Sequence, residues 1–446
     1  MGIFQSKVVR HGKSYIIVGA GAFGASTALH LIRKYPSAKI YLVDRKPYPP
    51  ERAASWDWNK VIRADYTTRV YMNLALEALE KWTEDKLYRE FYHQSGLAWV
   101  ADSEFYQSII NNYRQFPGSK HQVQLLSTQD VRNLWGGIHA DAVYQDVKEV
   151  FYNKTGGWAE AANALRKVID TAVREGVKYV EADVKKVLLD KDGSAIGVIT
   201  EEGRAIHASH TVLATGAMTA NILADSAPTE PKLQLGSRMT AAAICSAMVK
   251  LDEREASLFK TGPVFANDLD TVIGMTAIEQ PVSTSLPPNS DNQLKVYRDE
   301  SFRNTVLHEA SGQEISVPPS KPSYDQWDLS PGMKKEVRSS FEGIFGEKAK
   351  DWELFNYRIC WYVETWDAVT PTQDPIICEH PHAKQLFLVT GGSFHGYKFL
   401  PIIGKYVVEM LDGTLKPELA KIWAWDKENN GEAHEGMFPT REMADV

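Results

Sequence analysis

The strongest constraint on the fold is a glycine-rich turn between an apolar run and a segment with helical periodicity. The run Tyr15–Val18 precedes the turn and Ala25–Ile32 follows it. A second apolar run, Lys39–Val43, ends in Asp44. The turn itself reads Gly19-Ala20-Gly21-Ala22-Phe23-Gly24. In such a strand–helix–strand unit the first glycine makes the turn, the second admits a pyrophosphate, and the third lets helix and strand pack closely. With helix amides facing the phosphates and an acid at the end of the second strand, the pattern predicts a Rossmann-type dinucleotide site.

Two further segments concern which dinucleotide is bound, since adenosine binding alone is compatible with FAD or with a nicotinamide cofactor. The strand-like run His210–Ala214 ends in Thr215-Gly216, which resembles the Ala-Thr-Gly segment of flavoprotein oxidases. Val184 stands where such proteins contact adenine through the backbone. We therefore expect FAD, with Asp44 and Arg45 also among its contacts, and a nicotinamide dehydrogenase as the competing interpretation.

Composition narrows the class of protein. The 446 residues carry a net charge of −7, so no basic surface suits nucleic acid. No apolar run approaches the roughly 18 residues of a membrane span, and residues 1–15 lack the apolar core of a signal peptide. Three cysteines, Cys245, Cys360 and Cys378, form neither a disulfide framework nor a metal-site pattern. We expect a cytoplasmic monomer that binds no metal, nucleic acid or membrane.

The coarse organisation predicts an α/β fold (α+β overall) with two domains. We expect a Rossmann-type FAD-binding domain from residues 1–70, 150–232 and 350–425, and a second domain with a mixed antiparallel sheet from 71–149 and 233–349 that binds substrate. Residues 426–446 are expected to form a surface tail. Helices are predicted over Thr67–Asp85, Gly157–Glu175, Ser330–Phe345 and Gly404–Leu411, and exposed loops over Ser283–Asn292 and Ser311–Asp328.

Three other motifs carry chemistry. The first, Asp57-Trp58-Asn59-Lys60-Val61-Ile62-Arg63-Ala64-Asp65-Tyr66, places two basic residues three apart. The second, Leu294-Lys295-Val296-Tyr297, puts a lysine in a β-like run, where an inward cation is costly unless it is paired or functional. The third joins Tyr357-Arg358-Ile359-Cys360-Trp361 to Thr390-Gly391-Gly392-Ser393-Phe394-His395-Gly396-Tyr397-Lys398. From the residues alone, Arg63 can also pair with a surface acid, Lys295 can face solvent on an edge strand, and Cys360 can be a buried thiol.

Together with the glycine turn, these motifs resemble the family of monomeric sarcosine oxidase, pipecolate oxidase and the fungal fructosyl amino acid oxidases. The resemblance extends from Ser14 to about Trp425 and is densest in the branch with saccharopine-oxidase-like proteins. It implies that Arg63 and Lys398 bind a substrate carboxylate, with Tyr66 and Asp299 as further substrate contacts. It also implies that Lys60 lies at the flavin and that Lys295 activates oxygen.

The same resemblance assigns the flavin contacts near the C-terminus. It implies a covalent bond from Cys360 to the flavin, although alignment from the downstream Thr370-Pro371 would put that position on Thr365. The loop from Gly392 to Lys398, including Ser393, Phe394, His395 and Gly396, is implied to wrap the flavin pyrimidine. The peroxisome is a location that the family leaves open, but Met443-Ala444-Asp445-Val446 does not match a peroxisomal signal.

The implied activity is oxidation of the C–N bond of a secondary amino acid, with a carboxylate-bearing substrate and molecular oxygen giving an imine and hydrogen peroxide. Fructosyl amino acids are the alternative substrates, and a dehydrogenase passing electrons to another acceptor is the alternative enzyme. The sequence leaves open which amino acid is bound and whether the imine hydrolyses or cyclises.

Overall fold

The computed structural model describes residues 13–51, 53–116, 118, 122–269, 273, 275–276, 280–319, 329–360, 366–427 and 438–446, without the side chain of Cys360. Its α-helices are α1 (Ala22–Lys34), α2 (Arg69–Glu84), α3 (Ser103–Tyr113), α4 (Thr128–Asn133), α5 (Ala161–Arg174), α6 (Thr219–Ser226), α7 (Glu253–Phe259), α8 (Pro331–Phe345), α9 (Ile403–Leu411) and α10 (Pro417–Ile422).

The strands in the first half of the chain are β1 (Ser14–Val18), β2 (Lys39–Asp44), β3 (Asn59–Ile62), β4 (Tyr92–His93), β5 (Leu97–Val100), β6 (Val123–Ser127), β7 (Glu149–Asn153), β8 (Gly157–Glu160), β9 (Lys178–Glu181), β10 (Val184–Leu189), β11 (Ala195–Thr200), β12 (Ala205–His207) and β13 (His210–Leu213). Those that follow are β14 (Thr240–Lys250), β15 (Val264–Asn267), β16 (Ser283–Leu286), β17 (Gln293–Arg298), β18 (Phe302–Arg303), β19 (Thr305–His308), β20 (Gln313–Ser316), β21 (Leu354–Cys360), β22 (Asp367–Val369), β23 (Ile376–Glu379), β24 (Leu386–Thr390) and β25 (Arg441–Glu442).

A six-stranded sheet in the order β23-β24-β13-β1-β2-β9 carries the glycine turn. All its neighbouring pairs are parallel except β23 with β24. Its central strand β1 is almost fully buried, and α1, α5 and α9 contribute to the same apolar core. Strands buried on both faces are typical of parallel sheets covered by helices, so β1 reads as a short continuous apolar run.

A second, eleven-stranded sheet follows the order β25-β18-β14-β17-β16-β15-β5-β7-β6, with β21 and β22 also paired to β14. It is mostly antiparallel, with β5 parallel to β15 and β18 parallel to β25. Helix α8 packs against this sheet, and the hydroxyl of Ser330 caps it by accepting a hydrogen bond from the amide of Met333 at 3.0 Å. The predicted α/β class, with a Rossmann-type sheet and a mixed antiparallel sheet, is confirmed.

Three local predictions were wrong. The helix expected from Gly157 begins only at Ala161, because Gly157–Glu160 pairs as β8 between β3 and β4. Ser283–Leu286 is the buried strand β16 instead of an exposed loop, since the Ser283 hydroxyl donates to the backbone oxygen of Pro281 and the Thr284 hydroxyl to the Asp299 carboxylate. Part of the loop predicted after Ser311 is β20.

Part of the predicted tail is also ordered against the second sheet. β25 pairs with β18, and the backbone carbonyl of Val446 accepts a hydrogen bond from Ser330 at 2.8 Å. Residues 320–328 and 428–437 of the predicted loop and tail lie outside the described residues. Within the part of the chain that the structure describes, no helix is long and apolar enough to cross a membrane.

Candidate active site

The glycine turn has the geometry that its sequence predicts. Gly19 has a positive φ of 98°, and a Cβ at this position would lie 2.3 Å from the backbone oxygen of Ala214. A Cβ on Gly24 would lie 1.8 Å from the backbone oxygen of Gly19, so any side chain there would force α1 away from β1. The turn therefore requires glycine at both positions for steric reasons.

A cavity of about 160 Å³ extends along this turn. Asp44 Oδ2 accepts a hydrogen bond from the Ala20 amide at 2.7 Å, and the Ala22 amide donates to Ser55 Oγ at the same distance. Burial raises the pKa of Asp44 above its ordinary value. Most predicted cofactor residues line this cavity: Gly19, Gly21, Ala22, Phe23, Asp44, Arg45, Lys60, Val184, Thr215, Gly216, Gly392, Phe394 and Gly396. Gly24 instead forms the contact between α1 and β1.

These residues fit FAD. The turn brings bare backbone to the N-terminus of α1, which suits a diphosphate, and Asp44 ends the second strand, where it can accept from a ribose hydroxyl. The loop after β24 contributes Gly391, Gly392 and Phe394 to the lining of the same cavity. Ser55 also lines the cavity but was not predicted as a cofactor contact. Its only signal in the sequence is a hydroxyl side chain close to the motif that begins at Asp57.

The loop after β24 has an unusual backbone. Ser393 and Phe394 both have positive φ, 46° and 60°, a region that non-glycine residues rarely occupy. The conformation is held by Asp367, whose carboxylate accepts hydrogen bonds from the Phe394 amide at 2.5 Å and the Ala368 amide at 2.8 Å. Such strained backbone concentrates at functional sites. Asp367 was not predicted, because it is 27 residues from its partner in the loop.

A cluster of four charged side chains lies beside this cavity and is called the Asp57 cluster. Asp57 accepts from Lys295 Nζ at 2.9 Å and from Arg358 at 2.8 Å, and Lys60 Nζ lies 3.5 Å away. Asp57 is 2% exposed and Lys295 3%. Burial opposes the charge on Asp57, but Lys295, Arg358 and Lys60 hold the pKa of that carboxyl well below its usual range. Lys295 therefore points inward from β17 and is paired.

A second cavity, of about 520 Å³, adjoins the first, since Lys60, Phe394 and Tyr397 line both. It is lined by all four predicted substrate contacts, Arg63, Tyr66, Asp299 and Lys398, and by Lys295, Ser393 and His395. The Arg63 guanidinium lies 4.7 Å from the ring centre of Tyr66 and 4.7 Å from that of Trp99. Lys398 Nζ donates to the Tyr66 hydroxyl at 3.0 Å. Tyr66 thus brings the two cations, 335 positions apart in the chain, to one wall.

A chain of hydrogen bonds continues from Lys398. Lys398 also donates to the backbone oxygen of His395 at 2.9 Å, Tyr66 Oη lies 2.9 Å from His395 Nδ1, and His395 Nε2 lies 2.9 Å from the Gln373 oxygen. Since a backbone oxygen only accepts, His395 carries its proton on Nε2 and accepts from Tyr66 on Nδ1. Burial and then Lys398 lower the pKa of His395 to about 3. Burial and then Arg63 lower that of Lys398 well below its ordinary value.

Two acids that face the second cavity have raised pKa values. Burial and then the nearby Asp268 raise the pKa of Asp299 to about 8. Burial also raises the pKa of Asp65, although Asn153, Arg63 and Tyr113 oppose the shift. Asp268 was not predicted as a site residue. It follows a buried strand and carries no motif of its own.

The predicted flavin attachment point, Cys360, has its side chain outside the described residues. Its backbone ends β21, paired with β14, two positions after Arg358 of the Asp57 cluster. Of the other two cysteines, Cys245 is buried, and burial raises the pKa of Cys378 to about 12. Among the described residues, no group of three or more His, Cys, Asp and Glu side chains has metal-site geometry.

Comparison with known proteins places this geometry in a family. L-saccharopine oxidase of Schizosaccharomyces pombe is 26% identical over 436 residues, covering 94% of each chain. Monomeric sarcosine oxidase of an Arthrobacter species is 21% identical over 406 residues, 89% of this chain and 91% of that one. The solved structure of fructosyl peptide oxidase from E. terrenum superposes with a TM-score of 0.79 at 26% identity, covering 98% of this chain and 97% of that chain.

These relatives confirm the resemblance inferred from the motifs. The family model described as FAD-dependent oxidoreductase (DAO) matches residues 14–410, nearly the whole chain. The protein therefore belongs to the DAO family of FAD-dependent oxidoreductases.

Proposed function

We propose that this FAD-dependent oxidoreductase is an oxidase of the C–N bond of N-substituted or cyclic amino acids. The observation that carries the proposal is the convergence of Arg63 and Lys398 on one wall of a 520 Å³ cavity that adjoins the cofactor cavity. Two cations on one wall recognise a carboxylate through charge-assisted hydrogen bonds and fix its orientation. The L-saccharopine and sarcosine oxidases among the relatives are named for amino acids with a secondary amine.

Each residue has a defined part in this reaction. When bound, FAD supplies the acceptor for the two electrons that leave the substrate's C–H bond. Arg63 and Lys398 bind the carboxylate, while Tyr66 fixes both cations through its ring and its hydroxyl. The secondary amine loses two electrons and two protons and becomes an imine. Lys398, Tyr66 and His395 form a chain of hydrogen bonds that fixes the wall on which the carboxylate binds.

We assign Lys295 and Lys60 to the oxygen half-reaction. Molecular oxygen takes up two electrons and two protons to give hydrogen peroxide, and negative charge develops on it first. A preplaced cation stabilises that charge. Asp57 binds the buried Lys295 at 2.9 Å, and both residues line the large cavity, which supports this role.

A two-part kinetic test examines the proposal. The purified flavoprotein is mixed anaerobically with sarcosine, pipecolate, L-saccharopine and a fructosyl amino acid, and bleaching of the flavin absorbance is followed. The reduced enzyme is then mixed with oxygen, and peroxide is measured. We expect a secondary amino acid to reduce the flavin and peroxide to form stoichiometrically. The activity assignment would be abandoned if none of the four bleached the flavin.

Lys295→Met separates the oxidase from a dehydrogenase that uses another acceptor. The variant should slow the reaction of reduced enzyme with oxygen by about 10²–10³-fold, the size expected for one preplaced charge, and leave flavin reduction nearly unchanged. Lys250→Met, an exposed lysine on neighbouring β14, is the matched control. Equal oxygen rates in Lys295→Met and in the native enzyme would argue for the dehydrogenase.

We further propose that Cys360 attaches the flavin covalently, and that the enzyme works as a monomer in the cytoplasm. Mass measurement after acid precipitation tests the attachment, because a covalent adduct keeps the mass of one FAD and a Cys360→Ala variant loses it. A yellow supernatant from the native protein would show instead that the flavin is released.

The fructosyl amino acid alternative is favoured by the likeness to fructosyl peptide oxidase, and the same substrate panel decides between the two.

A further inference from the structure

Arg63 is oriented partly by aromatic rings. Its guanidinium donates a hydrogen bond to the backbone oxygen of Asp65, two residues away in the chain. The guanidinium carbon also lies over the rings of Tyr66 and Trp99, at 4.7 Å from each ring centre. Arg63, Tyr66 and Trp99 all line the 520 Å³ cavity. The direction of the guanidinium in this cavity therefore depends on the two rings as well as on the hydrogen bond.

Aromatic contact suits a group that has to bind a carboxylate. A guanidinium is planar, weakly hydrated and attracted to the electron-rich face of an aromatic ring. Its N–H groups lie at its edges, where they form paired hydrogen bonds with a carboxylate. A protein carboxylate bonded to Arg63 would use these donors and neutralise the charge before a substrate arrived. A ring fixes the guanidinium and leaves both its donors and its charge available.

Of the two rings, that of Tyr66 belongs to a residue shared by both cations of the site. Its hydroxyl accepts a hydrogen bond from Lys398 Nζ at 3.0 Å, while its ring contacts Arg63. The rings beside Lys398 Nζ are those of Tyr66 and Phe399, with centres at 5.3 and 5.7 Å. Trp99 contacts Arg63 instead. A change at Tyr66 thus disturbs both cations, whereas a change at Trp99 tests the support of Arg63 by itself.

The backbone of Trp99 is fixed within the second sheet. Trp99 lies in β5, opposite Ala266 of the parallel neighbour β15 and opposite Phe151 of the antiparallel neighbour β7. Because β5 is paired on both sides, backbone hydrogen bonds hold the Trp99 Cα in place. The residue is only 6% exposed, so protein surrounds most of its side chain.

The indole ring of Trp99 is fixed as well. Its Nε1 donates a hydrogen bond to Asp268 Oδ2 at 2.6 Å, as expected because a buried tryptophan N–H usually finds a partner. Phe105 of α3 packs edge-on against the ring, with ring centres 4.7 Å apart and an angle of 69° between the planes. Rotation of the indole would break both contacts. Arg63 is thus supported by a ring that the fold holds in one orientation.

We propose that Trp99 is a positioning residue, which holds the Arg63 guanidinium in the direction that binds the substrate carboxylate. Trp99 acts through Arg63, so it contributes to recognition of the carboxylate and not to the transfer of electrons. The inference rests on the proposed function, because it takes Arg63 as a residue that binds the carboxylate of an amino acid substrate. It adds a residue for which the sequence carries no motif.

Substrates with and without a carboxylate test this role in the holoenzyme. The secondary amino acid of the panel that reduces the flavin fastest is compared with its amide: sarcosine with sarcosinamide, pipecolate with pipecolamide, or L-saccharopine with its monoamides. Anaerobic flavin reduction gives kcat/KM for each compound. The largest ratio of acid over amide measures recognition of the carboxylate, and we expect about 10²-fold for the native enzyme. The different basicity of the two amines cancels when a variant is compared with the native enzyme.

Replacement of the ring then isolates Trp99. Trp99→Leu and Trp99→Met remove the aromatic face and should lower the acid-over-amide ratio about tenfold, the size of a desolvated contact between a cation and a ring. Trp99→Phe keeps an aromatic face without the indole N–H and should recover most of that loss.

Trp425→Leu is the matched control. Trp425 is 4% exposed, and its ring centre lies 4.6 Å from the guanidinium carbon of Arg238. Neither Trp425 nor Arg238 lines a described cavity. The control should therefore keep the native acid-over-amide ratio. Flavin content and thermal unfolding are measured for every variant, so that those that fold are identified.

Each result decides for or against the role of Trp99. The role is overturned if a folded Trp99→Leu or Trp99→Met variant keeps the native ratio, if Trp99→Phe does no better than these, or if Trp425→Leu lowers the ratio equally. It is also overturned if neither ring-less variant folds while Trp425→Leu does, because Trp99 would then act on stability. A native ratio near one, or a flavin that no secondary amino acid reduces, would instead contradict the proposed function.

Discussion

The charges of the Asp57 cluster and those of the large cavity differ in whether the protein itself supplies their partners. In the Asp57 cluster, one carboxylate is enclosed by Lys295, Arg358 and Lys60, at 2.8 to 3.5 Å. In the large cavity, Arg63 and Lys398 face open space, and the nearby Asp65 keeps an oxygen without a partner among the described residues. The first arrangement holds charge in place before any ligand arrives. The second presents Arg63 and Lys398 to a ligand that enters the cavity.

This difference predicts different consequences for similar substitutions. Removing Asp57 should affect folding, because the buried Lys295 and Arg358 donate to its carboxylate at 2.9 and 2.8 Å. Removing a member of the cavity wall should mainly affect substrate handling. The distinction fails if substitutions in the Asp57 cluster change only catalysis and substitutions in the cavity wall change mainly stability.

The largest effect is expected for Asp57→Asn. The change leaves the buried Lys295 and Arg358, and the partly exposed Lys60, around a neutral amide, and breaking a buried ion pair in this way costs about 3–5 kcal/mol. Lys295→Met should cost clearly less, since Asp57 keeps Arg358 at 2.8 Å and Lys60 at 3.5 Å. Urea unfolding of the native protein and both variants measures the free energy of unfolding. Equal losses in the two variants would contradict the view that Asp57 is the centre of the cluster.

Arg63→Met is expected to act on catalysis instead. Losing one charge-assisted contact and the orientation it gives should lower kcat/KM for a carboxylate substrate by about 10²–10³-fold, while stability changes little. Arg132→Met is a closely matched control, because Arg132 also lies over a tyrosine, 4.6 Å from the ring centre of Tyr144, and donates to a backbone oxygen. It does not line either described cavity. A similar kinetic defect in both variants would mean that Arg63 acts through folding.

Contacts of the candidate site could be predicted from the sequence mainly where the residues involved lie close together along the chain. The glycine turn and Asp44 were predictable because their contacts lie within one strand–helix–strand unit, where spacing fixes geometry. Arg63 and Lys398 were predictable only through a family resemblance, as nothing in the spacing joins them. The pairing of Asp57 with Lys295 spans 238 residues and has no local signal.

The second sheet was harder to predict for a chemical reason. Strand β16 reads Ser283-Thr284-Ser285-Leu286, so composition favours a loop. In the structure these hydroxyls are buried and bonded, with Ser283 donating to Pro281 and Thr284 to Asp299. Polar strands of this kind are stabilised by partners that only the fold supplies. Asp268 was not predicted for a related reason, since it raises the pKa of Asp299 from the end of a strand two positions away in the sheet.

Asp65→Asn should have the smallest effect on stability, within about 1 kcal/mol, because the new amide oxygen can accept from Tyr113 and Asn153 as Oδ1 does now. The amide nitrogen then takes the position of an oxygen that has no donor within the described structure, so no existing bond is broken there. Urea unfolding beside Asp57→Asn gives the comparison directly. Two buried aspartates, 2% and 0% exposed, would thus differ by several-fold in free energy for the same one-atom change. Equal losses of stability in Asp65→Asn and Asp57→Asn would contradict this difference and would mean that the protein itself satisfies both carboxylates.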